Sequence, residues 1–332
     1  MILAGDIGGT HTRLALCELT QGRPRLTAVE IYQSSQYETL SAIISEFLRD
    51  KRHRIDAACF GIAGPVRQGR SELSNLNWTV EAIQLSLQIG VEKVELINDL
   101  EANAYGLALL APDDLRTLQQ GEAEAGGHAA LIAAGTGLGE AGLYWDGADY
   151  RPLPSEGGHV DFAPRNQLEV ELVLYLMERF DHVSYERVLS GPGLINIYKF
   201  LRDTGRGDEP AWLIEPVNSG NAAAISQAAM EGRCPLCAQA LDLFVSIYGA
   251  EAGNLALKFL ATGGVYVGGG IAPKIIGKLQ DGTFLNAFTA KGRLTPLMQM
   301  IPVRVILNDR TALLGAARRA AMLIQKPDDE LA

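Results

Sequence analysis

A carboxylate followed at once by a glycine-rich turn opens the chain: Asp6 comes just before Gly8-Gly9-Thr10. Apolar residues on each side of the turn predict two paired strands. Glycines permit positive φ and carry no side chain that would cover the amide hydrogens of the turn. Such a turn can surround phosphate oxygens with N–H donors, while the nearby carboxylate orients a metal ion or its bound water. The segment therefore predicts a phosphate-binding hairpin.

A second turn of the same kind lies near the middle of the chain. Apolar residues at 129–134 predict a strand, and Gly135-Thr136-Gly137-Leu138-Gly139 leads into another. Further on, Gly268-Gly269-Gly270 stands at the end of a predicted strand, Val265–Val267. One such turn by itself is more often a plain hairpin than a ligand site. Two phosphate-type hairpins in one chain predict two domains that bind one polyphosphate.

Two better-known phosphate motifs are excluded. No G-x-x-x-x-G-K-[ST] segment occurs in the sequence, so the chain has no P-loop. Gly137–Gly142 matches G-x-G-x-x-G, but the dinucleotide-binding fold requires a helix directly after these glycines. Leu143-Tyr144-Trp145 predicts a continuing strand instead, so we interpret the match as coincidental.

Asn98 and Asp99 follow a predicted strand and precede a predicted helix over 100–110. Asp is a favoured helix N-cap, so Asp99 is expected equally well to satisfy backbone amides. Strand ends are also where α/β proteins place ligands, and a carboxylate there can accept the proton of an attacking hydroxyl. A helix N-terminus would favour the charged form of Asp99 and make it a weak base. Both interpretations of Asp99 remain open from the sequence.

A carboxylate and an imidazole flank two glycines in the segment Ser155–Asp161, as Glu156 and His159. The glycines allow both side chains to approach one small ligand, and carboxylate and imidazole groups together suit the hydroxyls of a polyol. Two alternatives are a metal site formed by His159 with Asp161, which has no second histidine nearby, and a plain surface turn.

Cys234-Pro235-Leu236-Cys237 is the one close pair of cysteines. Proline at a first helical position places Cys234 near a helix N-terminus, which would lower the pKa of its thiol. Zinc would require four ligands where the segment offers two. We therefore expect two thiols that are packed on a core helix and have no chemical role.

Alternating strands and helices must position these residues. Strands are predicted at 57–62 and 92–97. Helices are predicted at 167–180, 191–203, 222–231, 235–261 and 311–324. Gly263-Gly264 are expected to end the helix at 235–261. Pro112-Asp113-Asp114 is typical of a domain boundary. The pattern favours an α/β fold with ligands at strand ends, duplicated within one chain.

Composition sets wider limits. A chain of 332 residues is expected to form two domains, and its formal charge of −10 argues against a nucleic-acid surface. No secretory signal is visible, and no apolar run reaches the roughly 18 residues of a membrane span. We therefore expect a cytoplasmic protein with reduced cysteines and no membrane partner.

The order D-x-G-G-T, G-T-G-x-G and G-G-G resembles the superfamily of sugar kinases, actin and chaperone-type ATPases. This resemblance implies an α/β fold of two actin-like (ribonuclease H-like) lobes, each a mixed sheet with flanking helices, with a cleft between them. It also implies that ATP is held by both hairpins and by the glycines beside the adenosine; these residues are Asp6, Gly8, Gly9, Thr10, Gly135, Thr136, Gly137, Gly139, Gly268, Gly269 and Gly270.

A narrower resemblance covers nearly the whole chain. The segments Leu73–Trp78, Ile97–Asp99, Ser155–Phe162 and Tyr185–Gly191 are similar to those of bacterial ATP-dependent glucokinases. The resemblance implies transfer of the γ-phosphoryl group of Mg²⁺–ATP to the 6-hydroxyl of glucose, with Asp99 as the general base. It implies that sugar hydroxyls bind Asn98, Glu156, His159 and Glu186, and that Asp6 reaches Mg²⁺ through water, with no direct protein ligand to the metal.

The same resemblance implies a small lobe of residues 1–110 plus about 301–325, and a large lobe of residues 111–300. It also implies a homodimer. The cysteine-rich zinc motif of related repressor and sugar-kinase proteins is not expected, because no cysteine follows His159 until Cys234.

Other functions remain open on the sequence. Epimeric sugars differ in one hydroxyl, so a kinase for mannose or an N-acetylhexosamine is an alternative. A non-kinase actin-like ATPase would account for the phosphate turns but not for the Glu156–His159 segment. A sugar sensor without transfer would leave Asp99 unexplained.

Overall fold

The computed structural model describes residues 1–51, 53–73 and 76–325, so Ser74 and Asn75 of the Leu73–Trp78 motif lie outside the described residues. Two units form: Met1–Pro112 with the chain from Asn308 onward, and Asp113–Leu307. The strand Val303–Ile306, which the sequence analysis assigned to the small lobe, pairs within the sheet of the second unit. The chain returns to the first unit at Asn308.

The described strands are β1 (Ile2–Ile7), β2 (His11–Thr20), β3 (Arg23–Gln33), β4 (Ala57–Ile62), β5 (Arg70–Leu73), β6 (Trp78–Glu81), β7 (Val94–Asn98), β8 (Leu115–Gln119), β9 (Ala129–Ala134), β10 (Leu138–Trp145), β11 (Tyr150–Ser155), β12 (Gly264–Gly268) and β13 (Val303–Ile306). The described α-helices are α1 (Leu40–Leu48), α2 (Ala82–Ile89), α3 (Asp99–Gly106), α4 (Gln167–Met177), α5 (Gly191–Asp203), α6 (Ala211–Asn218), α7 (Ala222–Met230), α8 (Pro235–Phe259), α9 (Ile276–Leu279), α10 (Thr283–Thr289), α11 (Thr295–Met300) and α12 (Thr311–Gln325).

β1 lies at the centre of the first unit's sheet, whose order is β3-β2-β1-β4-β7. It pairs antiparallel with β2 and parallel with β4, so Asp6 is opposite Arg13 on one side and Gly61 on the other. β4 in turn pairs in parallel with β7, where Ile62 is opposite Asn98. The carboxyl ends of these parallel strands share one edge of the sheet, which is where α/β proteins place ligands.

The second unit repeats this opening in a sheet of order β11-β10-β9-β12-β13-β8. β9 pairs antiparallel with β10 and in parallel with β12, where Gly268 is opposite Ala133. Both glycine turns of this unit therefore follow neighbouring strands at one edge. A strand–turn–strand opening followed by a parallel strand in each sheet confirms the predicted duplicated α/β fold with mixed sheets.

β10 runs without interruption from Leu138 to Trp145. The glycines of the G-x-G-x-x-G match therefore enter a strand, and no helix follows them. This confirms that the match does not mark a dinucleotide-binding fold.

Small residues let α12 pack closely on α3 within the first unit. A side chain on Gly315 would collide with the carbonyl oxygen of Ala102, and one on Gly106 with that of Thr311. The same face of α12 also carries buried alanines against β1 and β4, including Ala316. The C-terminal helix thereby covers one face of the sheet that holds Asp6.

α8 is the central helix of the second unit and packs against α5, α7 and α10. It ends at Phe259, because Leu260 adopts a left-handed conformation with φ 46° and its N–H bonds back to the helix carbonyls. The prediction that Gly263-Gly264 end this helix is therefore wrong by a few residues. Among the helices of residues 1–51, 53–73 and 76–325, none combines the length and apolar character of a membrane span.

Candidate active site

The predicted site residues fall into two groups, one in each unit. The first unit holds Asp6, Gly8, Gly9, Thr10, Asn98 and Asp99. The second unit holds Gly135, Thr136, Gly137, Gly139, Glu156, His159, Glu186, Gly268, Gly269 and Gly270.

Asn98, not Asp99, is the N-cap of α3. Its Oδ1 accepts a hydrogen bond from the Leu100 amide at 2.9 Å, and its Nδ2 donates to the Gly64 carbonyl at 3.1 Å. Asp99 is the first helical residue, and its Oδ1 shares the same Leu100 amide at 2.9 Å. Asp99 thus adds a second acceptor to an amide that the N-cap Asn98 already bonds, so capping does not require a carboxylate at position 99.

Gly61 brings α3 close to β4. A Cβ on Gly61 would lie 2.7 Å from the Ala102 Cβ and 3.8 Å from the Asp99 Cα. Any larger residue there would push the first turn of α3 off the sheet. The position of Asp99 above the strand ends thus depends on a glycine that the sequence analysis did not single out.

The pKa of Asp99 is raised from 3.8 to about 6, chiefly because the group is buried and secondly because Asp6 lies nearby with the same charge. Hydrogen bonds from backbone amides act in the opposite direction but are weaker. The expectation that the helix N-terminus would make Asp99 a weak base is therefore wrong, because burial and the charge of Asp6 outweigh the hydrogen bonds from the amides at this terminus. A carboxylate with this pKa is well matched to proton transfer near neutral pH.

Arg13 holds the carboxylate of Asp6 from the adjacent strand. Arg13 Nη1 lies 3.1 Å from Asp6 Oδ2, and Nη2 lies 3.4 Å from Asp309. Burial raises the pKa of Asp6, while Arg13 lowers it. The ion pair leaves Asp6 Oδ1 without a hydrogen-bond partner among the described residues.

A buried serine fixes the first glycine turn. Ser34 N donates to the Thr10 carbonyl at 3.0 Å, Ser34 Oγ donates to the Gly8 carbonyl at 2.8 Å, and the Thr12 and Ser34 hydroxyls are 3.0 Å apart. Ser34 and Thr12 are both fully buried. No hydrogen bond within the described residues uses the amides of Gly9 and Thr10.

Neither Gly8 nor Gly9 has a positive φ, contrary to the expectation from the sequence. At Gly8 the requirement is for space rather than for a backbone angle, since a Cβ there would lie 3.0 Å from the His11 carbonyl oxygen.

The second glycine turn is bound to the segment that contains Glu186. Gly191 N donates to the Gly135 carbonyl at 2.8 Å, and Leu138 N donates to Glu186 Oε2 at 3.0 Å. A Cβ on Gly137 would lie 2.5 Å from the same carboxylate oxygen, whereas one on Gly135 would meet no atom within 4 Å. The turn is thus closed towards Glu186 and open at Gly135.

The Glu156–His159 segment also packs against the start of β10. Gly157–His159 form one 3-10 turn, and the exposed Glu156 and His159 side chains are 74% and 59% accessible, with Oε2 and Nε2 4.0 Å apart. Gly158 packs so closely on the Leu138 carbonyl that only glycine fits. Both side chains therefore project together from a turn that rests directly beside the second glycine loop.

The metal alternative for this segment gains no support. Asp161 pairs with His182, whose Nε2 lies 2.9 Å from Asp161 Oδ1. Within the described part of the chain, no three His, Cys, Asp or Glu side chains are grouped so that they could hold a metal ion.

Gly268-Gly269-Gly270 joins the same edge of the second sheet. Gly269 has φ 81°, and a Cβ there would collide with the Ala134 carbonyl, which also accepts the Ile271 amide at 3.2 Å. Gly270 has open space where a side chain would be. Direct contacts within the second unit therefore connect its second glycine turn with the Glu156–His159 segment and with Gly268-Gly269-Gly270.

Cys234 and Cys237 are buried at the start of α8, where Cys234 Sγ accepts the Cys237 amide at 3.4 Å. Burial raises the pKa of the Cys237 thiol, which disfavours the reactive thiolate. The two thiols are therefore packed on a core helix, as the sequence predicted.

The family comparison can now be set beside this geometry. The glucokinase family profile matches residues 3–323. The chain belongs to the glucokinase family. It is 43% identical over 339 residues to the glucokinase of Nostoc punctiforme, with 97% of this chain and 99% of that protein covered. The resemblance inferred from the motifs is confirmed.

Solved glucokinases have the same fold. The crystal structure of glucokinase from an Antarctic psychrotroph matches with a TM-score of 0.84 and 30% identity over 96% of this chain and 98% of that one. A glucokinase from Balamuthia mandrillaris, solved in complex with glucose, matches with a TM-score of 0.81 over 96% of this chain and 93% of that one. At 24% identity this second likeness shows the fold. The predicted actin-like fold is confirmed, and membership of the family makes the chain an ATP-dependent hexose kinase.

Sequence reasoning missed Arg13, Ser34 and Gly61. Arg13 carried a signal, since alternation along β2 places it opposite Asp6 in a short hairpin. Ser34 and Gly61 act through strands that are distant in sequence, and no local pattern marks them.

Proposed function

We propose that this chain transfers the γ-phosphoryl group of ATP, bound with Mg²⁺, to the 6-hydroxyl of glucose, with Asp99 as the general base. The observation that carries the proposal is the Asp99 carboxyl, which lies directly after β7 at the start of a helix that Asn98 caps and has a pKa of about 6. Membership of the glucokinase family supports the choice of sugar, as does the glucose complex of a relative with this fold.

Asp99 accepts the hydroxyl proton as the sugar oxygen attacks phosphorus. A bond forms between O6 and the γ-phosphorus, the bond from that phosphorus to the bridging oxygen breaks, and ADP leaves. The proton passes from O6 to the Asp99 carboxylate and then to solvent. Because the attack is in line, most of the rate enhancement comes from positioning and from stabilising charge on the phosphoryl oxygens.

Backbone amides are the proposed phosphate ligands. Those of Gly9 and Thr10 in the first turn, and of Thr136 and Gly137 in the second, have no acceptor among the described residues. The open space beside Gly135 and Gly270 would admit a ligand without a side chain in the way. These features fit a nucleotide bound by main-chain donors, with Gly139 and Gly268–Gly270 completing the turns.

Asp6 is the residue that fits Mg²⁺. Its Oδ1 is free to accept from metal-bound water, and the described residues offer no cluster that would enclose the ion. This suits Mg²⁺, which keeps its waters and binds mainly to substrate phosphates. When bound, the ion would neutralise charge on the β- and γ-phosphates; Arg13 keeps the Asp6 carboxylate oriented.

Glucose binding is assigned to Glu156, His159, Asn98 and Glu186. The first two project side by side from one turn and offer acceptors and a donor to neighbouring hydroxyls. Asn98 and Glu186 are already oriented, since each makes a hydrogen bond to the backbone of its own unit. Each retains capacity for a further bond, because Asn98 Nδ2 has a second hydrogen and Glu186 Oε1 has no partner among the described residues.

A coupled ADP-release assay with purified protein tests the proposal. Glucose, mannose, N-acetylglucosamine and no sugar are compared as acceptors, each with Mg²⁺–ATP. We expect ADP release that depends on glucose and yields glucose 6-phosphate. Equal ADP release without sugar would favour the ATPase alternative, and a higher kcat/KM for another hexose would replace glucose as the substrate.

A further inference from the structure

Glu140 is a fully buried carboxyl group in β10 to which the reaction described above assigns no role. It follows the second glycine turn directly, and Ser155 is its cross-strand neighbour on β11. Its exposed fraction is 1%, and neither carboxyl oxygen has a hydrogen-bond partner among the described residues. Buried polar groups without partners are rare in folded proteins, so this one calls for an explanation.

The Glu140 side chain forms the surface on which the proposed glucose-binding turn rests. A Cβ on Gly157 would collide with Glu140 Oε2 and would lie 3.0 Å from its Cδ and 3.1 Å from its Cβ. Gly157 therefore packs directly against this side chain, and only glycine fits there. Glu156 and His159 flank that contact, so their placement depends on what Glu140 does.

Charged neighbours of Glu140 come mainly from α8. Glu251 is fully buried and accepts from Lys258 Nζ at 3.0 Å and from Asn254 Nδ2 at 2.7 Å. The titratable groups that face Glu140 are Glu251, Tyr248 and Lys258, all on α8. Two more face its neighbour Glu251, namely Tyr185 on the 3-10 turn before α5 and Lys291 after α10. Lys258 is already engaged by Glu251, so Glu140 lacks a cation of its own.

Burial raises the pKa of Glu140 from 4.5 to about 7, the negative charge of Glu251 adds to this, and Lys258 opposes it. The neutral acid is therefore compatible with the observed packing. An ionised Glu140 would be a buried charge with no donor beside a second carboxylate, which is strongly unfavourable.

We propose that Glu140 is a positioning residue for the Gly157 turn, that it supports this turn only as the neutral acid, and that glucose affinity therefore falls as Glu140 ionises. The proposal rests on the proposed function, because it assumes that glucose binds to Glu156 and His159. Ionisation draws water or a shifted backbone towards the carboxylate, and the Gly157 backbone is the nearest element that can move.

The first test measures the glucose Kd of the whole protein by calorimetry, without nucleotide, from pH 6 to pH 8.5. In the wild type we expect the Kd to rise above about pH 7 by up to tenfold per pH unit, the limit for one proton. In Glu140→Gln, a neutral mimic of the acid, we expect the Kd to stay constant. A wild-type pH profile in this variant would overturn the proposal.

Glu169→Gln is the matched control, since Glu169 on α4 is an equally buried carboxylate but pairs with Arg165 and Asn166, which lie just before that helix. We expect it to keep the wild-type pH profile of glucose affinity. A flat profile in this control would overturn the proposal, because the pH dependence would then not belong to Glu140.

The second test is a double-mutant cycle that does not depend on titration. Gly157→Ala is expected to weaken glucose binding about tenfold or more in the wild type, because the new methyl group meets the Glu140 carboxyl. In a Glu140→Ala background the same change should cost much less, since the carboxyl is gone. Equal costs in both backgrounds would refute the contact as the source of the effect.

These outcomes are separate from failure of the proposed function. If the wild type neither binds glucose nor transfers phosphoryl groups to it, the assigned reaction is wrong. If the wild type does both and the two tests give the contrary results, only the role of Glu140 is wrong.

Discussion

Two effects act in opposite directions on the pKa of Asp99 at the N-terminus of α3. The helix amides favour its charge, but burial and Asp6 outweigh them. Asp99→Asn keeps the size and removes the base, so we expect kcat to fall by roughly 10²–10⁴ while the glucose Kd changes far less. The measurement is steady-state kinetics with calorimetry of glucose. Near-normal turnover in either Asp99→Asn or Asp99→Ala would disprove the assignment of the base.

The raised pKa of Asp99 gives a signed pH dependence. Below about pH 6 the carboxyl is protonated and cannot accept a proton, so kcat should fall about tenfold per pH unit on the acid side. Between pH 6 and 7 kcat should level off. Calorimetric glucose affinity over the same acid range should stay flat, because the proposed effect of Glu140 on glucose binding begins only above about pH 7. A kcat that is constant down to pH 4.5 would contradict the role of Asp99.

The substitution Glu156→Ala tests the proposed contact between Glu156 and the sugar hydroxyls. Removing a carboxylate that accepts sugar hydroxyls leaves those hydroxyls unpaired, at a cost of about 1–3 kcal/mol. We therefore expect the glucose KM to rise by one to two orders of magnitude, while the KM for ATP is nearly unchanged. An unchanged glucose KM would exclude Glu156 from the sugar site.

At the scale of elements, the first glycine turn depends on β3 and the residue that follows it. Ser34→Ala removes the hydroxyl bound to the Gly8 carbonyl and leaves the buried Thr12 hydroxyl without its partner. An unpaired buried group costs about 1–3 kcal/mol, so we expect the KM for ATP to rise about tenfold or more. Glucose affinity measured without nucleotide should be unaffected. Ser226→Ala on α7 is the control and should alter neither constant.

The order of strands and helices around the site was largely predictable, but the exact ends of only some of them were. Strand 57–62 and helix 191–203 were predicted with the observed bounds, because the apolar periodicity and the flanking turn residues agree there. The end of α8 was missed because Leu260 adopts φ 46°, a conformation that sequence patterns assign to glycine. The sequence offered Asp99 as the cap of α3, whereas the cap is Asn98, and the two residue types are equally favoured at such a position.

At the scale of the whole molecule, buried carboxyl groups make stability depend on pH. The pKa of Glu140 is higher in the folded chain than its ordinary value of 4.5. The unfolded chain therefore loses this proton first, and folding stability falls as pH rises from about 4.5 to 7. Glu140→Gln removes this loss, so its melting temperature relative to the wild type should increase across that interval and then stay constant. A difference that is independent of pH would show that Glu140 ionises normally in the folded state.

The sequence by itself determined the chemistry available to this protein. Glycine turns after apolar strands, a carboxylate at a strand end and a Glu–Gly–Gly–His segment are local patterns, and local backbone preference and hydrophobic periodicity are enough to interpret them. Only the tertiary structure decided which of these groups are buried and which distant segments they contact. The raised pKa values of Asp99 and Glu140, the hydrogen bonds of Ser34 to the first glycine turn and the contact of Glu140 with Gly157 all depend on burial and on contacts between distant segments. Burial and long-range contact are properties of packing, and no short stretch of sequence contains them.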